Sequence, residues 1–76
     1  GVQDRRLMAS VSGKAFAKAL ERRGWMLLRI NGSHHIYGKA GERMRITVPA
    51  HGNEALKPGL LNALLKQTAL SLDELR

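Results

Sequence analysis

Trp25-Met26-Leu27-Leu28-Arg29-Ile30-Asn31-Gly32-Ser33-His34-His35-Ile36-Tyr37-Gly38 reads as a β-hairpin. Residues 25–30 are rich in strand formers, which suit a pleated, half-buried surface. Asn31-Gly32 is the strongest short hairpin signal, because a two-residue type I′ turn needs positive φ at both central positions. The returning strand then runs from Ser33 to about Gly38. With that turn, Ile30 lies opposite Ser33, Arg29 opposite His34, Leu28 opposite His35 and Leu27 opposite Ile36.

Working outward toward the C-terminus, Lys39 to Glu42 form a polar, Gly-containing turn. Arg43-Met44-Arg45-Ile46-Thr47-Val48 alternates with period two. That pattern predicts a third strand with Met44, Ile46 and Val48 on one face and Arg43 and Arg45 on the other. Pro49 ends it. Residues 50–56 form a loop, and Pro58 suits the first turn of a helix whose Leu60, Leu61, Leu64 and Leu65 form an apolar stripe to about Thr68. Ser71 and Glu74 stand at capping-box spacing in a short last turn. On the N-terminal side, Gly13 to Arg23 is a helix capped by Ser12 and stopped at Gly24, with Phe16, Ala19 and Leu20 facing a core. The order is α-β-β-β-α, an α+β fold with a three-stranded antiparallel sheet and two helices packed on one face. Residues 1–11 show no period and are expected to be a flexible N-terminal extension. Residues 12–76 are expected to form the single domain. Gly1 to Leu7 lack the apolar core of a secretory signal, and Met8 is a candidate native start.

Seventy-six residues support one modest core. No cysteine is present, which excludes disulfides and thiolate metal sites and makes a reducing cytoplasm the expected compartment. No apolar run approaches the ~20 residues that span a bilayer. Thirteen Lys and Arg against six Asp and Glu leave a net charge of +7 and a pI near 10.9. Such a balance attracts phosphate polyanions and acidic partners, although a solvated surface explains it equally.

The chemistry-bearing feature is His34-His35. Adjacent residues of a strand point to opposite faces, so the pair is badly placed to chelate one metal ion. A histidine beside Arg29 has its charged form disfavoured relative to the reference pKa of ~6.5. In its neutral form it can take a proton from a ribose 2′-hydroxyl, while Arg29 holds the phosphate. A donor to the leaving 5′-oxygen is also needed, and His51, Lys39 and Tyr37 are the candidates. Ser33 is no serine nucleophile, because no acid is placed to orient an imidazole toward it; it shapes the turn. Against this stands the plainer reading of the histidines as surface or packing residues, with His51 a solvated loop residue. Trp25 and Tyr37 are able to stack on bases, but Trp25 fits better as packing against the helices. Arg29, Ser33, Lys39, Arg43 and Arg45 are the expected RNA contacts. A non-catalytic RNA-binding module or a pure protein-interaction domain would use the same charge.

Gly24-Trp25, Arg29, Gly32-Ser33-His34-His35-Ile36-Tyr37, Thr47-Val48-Pro49, His51 and Leu56-Lys57-Pro58-Gly59 occur in the order and spacing of HicA-type toxins, which the chain resembles from about Ser12 to Leu70. The resemblance implies a fold like the double-stranded RNA-binding domain. It also implies a ribosome-independent messenger RNA interferase that uses no metal or other cofactor. Its partners would be messenger RNA and a HicB-type antitoxin that folds onto the toxin and blocks the histidine, and the toxin alone would be a monomer. The family's essential histidine follows Gly-Ser and maps to His34. Some members keep only a histidine one place later, which makes His35 the fallback. Positions 39–43 lack the family's usual His-Pro, and the extension before Ser12 lies outside its pattern.

Overall fold

The computed structural model describes residues 11–75. Its elements are α1 (Gly13–Arg22), β1 (Met26–Asn31), β2 (His34–Gly38), β3 (Ile46–Pro49), α2 (Pro58–Thr68) and a closing 3₁₀ turn (Leu72–Leu75). The α-β-β-β-α order and the antiparallel sheet, with strand order β1-β2-β3, are as the sequence predicts. The reading of residues 1–11 as a loose tail lies outside the described residues except at Val11. That side chain is buried, and its carbonyl accepts a hydrogen bond from the Leu56 N–H.

Local chemistry explains the helix ends. The Ser12 hydroxyl accepts from the Ala15 N–H, satisfying one of the donors that a helix N-terminus leaves without an intrahelical partner. The Trp25 N–H returns to the Leu20 carbonyl and closes the other end of α1. In α2, Pro58 occupies the first turn, and the Thr68 hydroxyl donates to the Leu64 carbonyl. The capping-box spacing at the C-terminus is used. Glu74 accepts from the Ser71 N–H with its side chain, and the Glu74 N–H bonds the Ser71 carbonyl. Glu74 also ties this turn to α1 through an ion pair with Arg23, and its carbonyl accepts from Arg22.

The core is built from Phe16, Ala17, Ala19 and Leu20 of α1, Trp25, Tyr37, Ile46 and Val48 of the sheet region, and Leu61 and Leu64 of α2, closed by Val11, Leu56, Leu70 and Leu75. Both helices therefore cover the face of the sheet that carries Tyr37, Ile46 and Val48. Two expectations about apolar positions are corrected. β3 begins only at Ile46, so Met44 lies before the strand and is exposed. In α2 the inward line is Leu61, Leu64 and Thr68 with Leu65 at its margin, and Leu60 is turned outward.

The hairpin register differs from the expected one by one residue. Asn31 pairs with His34, Ile30 with His35 and Arg29 with Ile36. The loop is therefore Gly32-Ser33, and Asn31 is the last residue of β1. Gly32 has φ 64° and is the one residue of this pair with positive φ, the pattern of a II′ turn, whose first central position is glycine. An extra residue at Leu28 then bulges β1, and Leu27 pairs with Tyr37.

Candidate active site on the open sheet face

Alternation along β2 places His34, Ile36 and Gly38 on the open face, away from the helices, and His35 and Tyr37 on the helix side. His34 is exposed, and its ring has no hydrogen-bond partner among the described residues. Its cross-strand neighbours are Asn31 in β1 and Pro49 in β3. His35 is half-buried between Ile30 and Val48.

The register moves Arg29 from the position directly opposite His34 to the diagonal one. Arg29 faces Ile36, two residues along β2, and so shares the open face with His34. Diagonal neighbours of an antiparallel pair lie about 7–8 Å apart. A directly opposite Arg29, on which the expected tuning of His34 rests, is therefore absent. Arg29 is exposed and forms no ion pair among the described residues. On the same face Arg45 and Leu28 meet over Gly38. Arg43 is exposed in the connection before β3.

The remaining candidates separate clearly. Lys39 lies against Trp25, with its ammonium 5.9 Å from the ring centre, at the end of β2 remote from His34. Tyr37 is corrected as a proton donor or base-stacking residue: it is fully buried on the opposite face, where burial, reinforced by the Glu21 carboxylate, pushes its hydroxyl pKa up. Trp25 is buried in the core, as its apolar bulk suggests.

His51 comes to the site. Its Nε2 lies 3.0 Å from Ser33 Oγ, and the Ala50 N–H donates to the Ser33 carbonyl at 2.8 Å. These two contacts dock the loop after β3 onto the hairpin turn, beside His34. No local sequence pattern forecasts them, because 18 residues separate Ser33 and His51. Beyond His51 opens a cleft of about 290 Å³ lined by Pro49, His51, Glu54, Ala55, Leu56, Lys57 and Leu60. Among the described residues there is no group of three or more His, Cys, Asp or Glu placed to hold a metal ion.

Residues 13–70 match the family described as the HicA toxin of bacterial toxin-antitoxin systems. The chain belongs to the HicA toxin family. No curated protein matches it in sequence. A HicA toxin is one half of a toxin–antitoxin pair, so a cognate antitoxin is implied. The matched span contains the whole of α1, the sheet and α2, and with them His34, Ser33, His51 and Arg29. No helix of this HicA toxin, among the described residues, is long and apolar enough to cross a membrane.

Proposed function

We propose that this toxin is a metal-independent and ribosome-independent endoribonuclease that cleaves messenger RNA in the cytoplasm, with His34 as its general base. The observation that carries the reading is the placement of an exposed His34 on the open sheet face with Arg29 diagonal to it, neither of them partnered among the described residues. In this reading Arg29 receives the scissile phosphate and His34 removes the 2′-hydroxyl proton. The 2′-oxygen then attacks phosphorus, and Arg29 stabilises the charge that grows on the phosphoryl oxygens. His35 is the weaker candidate because it faces the helix side and is half-buried.

Inhibition fits the same face. β1 is an edge strand with every residue exposed, and on the open face it presents Met26 and Leu28 next to Arg29. An apolar edge beside arginines that form no ion pair among the described residues suits an acidic HicB-type antitoxin that lies over β1 and screens His34. The test is a cleavage assay of the purified toxin on single-stranded RNA with EDTA present and no ribosomes. Wild type should cut, and His34→Ala should be slower by about 10²–10⁴-fold, the usual worth of a general base. Full activity of His34→Ala together with loss in His35→Ala would move the site by one residue. A shift of RNA mobility without any cleavage would identify a binding module instead.

A further inference from the structure

The exposed contact between His51 and Ser33, next to His34 in the chain, does more than help dock the loop after β3. It fixes an imidazole. With Nε2 held at 3.0 Å by Ser33 Oγ, the free ring nitrogen is Nδ1, which has no hydrogen-bond partner among the described residues. His51 also lines the cleft, with Lys57 and Leu60 among the other lining residues. A hydroxyl bound to one ring nitrogen sets which nitrogen exchanges a proton with substrate, as second partners of catalytic histidines do.

Resting on the reading of His34 as base, we propose that His51 is the second catalytic histidine, the acid that protonates the leaving 5′-oxygen, with Ser33 as its positioning residue. As His34 accepts the 2′-hydroxyl proton, the 2′-oxygen forms a bond to phosphorus. The bond from phosphorus to the 5′-oxygen breaks, and Nδ1–H of the His51 imidazolium delivers its proton to that oxygen. His51 is left neutral with Nε2–H still donated to Ser33 Oγ, and both rings return to their starting states by exchange with water. The products are a 2′,3′-cyclic phosphate and a 5′-hydroxyl, which balances atoms and charge without a metal or a co-reactant. The cleft beyond His51 receives the leaving nucleoside. At about 290 Å³ it lies at the small end of ligand pockets, which hold roughly 300–1,000 Å³, and suits one nucleoside rather than a longer segment.

The experiment removes the need for the acid. An RNA whose cleavage position by the wild-type toxin has been mapped is resynthesised with sulfur in place of the bridging 5′-oxygen at that linkage. A thiolate leaves without protonation. His51→Ala should cut ordinary RNA about 10²–10⁴-fold more slowly than wild type and cut the sulfur-substituted RNA at close to the wild-type rate. Ser33→Ala should show a smaller loss of the same kind, restored by Ser33→Thr, and thermal unfolding should be little changed in either alanine variant because the Ala50–Ser33 backbone bond still holds the loop. His34→Ala should be slow on both RNAs. Wild-type cleavage of ordinary RNA by His51→Ala overturns the proposal, as does an equal loss on both RNAs. Full activity of His34→Ala on ordinary RNA instead overturns the reading of His34 on which it rests, and the two failures are told apart by which variant stays active.

Discussion

Gly13 shows how closely one residue can govern the placing of the site. It is the first residue of α1, and a β-carbon there would collide with the carbonyl oxygen of Pro49, at the end of β3. The neighbour is backbone and cannot swing aside. The absence of a side chain thus lets the N-terminus of α1 lie on the strand end that pairs with His34. Replacement by alanine offers a gain in helix propensity of up to about 1 kcal/mol, while overpacking of a rigid contact costs about 1–3 kcal/mol. The second effect wins. Gly13→Ala should lower stability by about 1–2 kcal/mol net, read as a lower urea midpoint with an unchanged slope. It should also reduce RNA cleavage, because the strain is relieved by moving Pro49 and the loop that carries His51. An unshifted midpoint would show that the helix end is freer than the contact implies.

At the scale of elements, the 3₁₀ turn is fastened to α1 by one carboxylate. The Ser71 N–H holds the Glu74 carboxyl below its ordinary pKa; desolvation opposes it, and the Arg23 guanidinium adds to the lowering. A carboxyl whose pKa is depressed by folding adds stability above its unfolded value, and that stability is lost as pH falls through the folded value. The thermal midpoint of wild type should therefore exceed that of Glu74→Gln at neutral pH, and the gap should close as the solution is acidified below the ordinary carboxylate range. A gap that stays constant down to strongly acid pH would mean that the charge on Glu74 does not hold the turn. The same element shows what a sequence can disclose. Ser71 and Glu74 are three residues apart, and their capping is a local event with a local signature. The cap at Ser12 and the proline that opens α2 were legible for that reason. The hairpin was legible as a hairpin but not in its register, because Asn31-Gly32 and Gly32-Ser33 are both good turns and differ by one residue. The choice depends on how β1 sits over Tyr37, and the bulge at Leu28 absorbs the difference. That one-residue change moved Arg29 from opposite His34 to its diagonal. The docking of His51 on Ser33 depends on the course of the whole loop after Pro49, which no spacing rule encodes.

Over the whole molecule, the charge of +7 favours no one face for RNA in the proposed function, and the partners of the cations are what distinguish the faces. Arg22 and Arg23 are engaged with Glu74. Arg29, Arg43 and Arg45 form no ion pair among the described residues, and Arg29 and Arg45 share the open face with His34. Lys14 and Lys18 are exposed on α1, across the core from that face. Each phosphate neutralised on a single strand contributes about −0.7 to the slope of log Kobs against log salt. Measured in a His34→Ala background so that RNA stays intact, Arg29→Ala and Arg45→Ala should each flatten the slope by about 0.7, and Lys18→Ala should leave it unchanged. Flattening by Lys18→Ala with no effect of the two arginines would put the RNA on the helices and separate binding from the face that carries His34. An acidic antitoxin seated over β1 would compete for the same two arginines. Arg29→Ala should then slow antitoxin association at low salt and converge with wild type as salt rises, because a rim charge acts mainly on the rate of encounter.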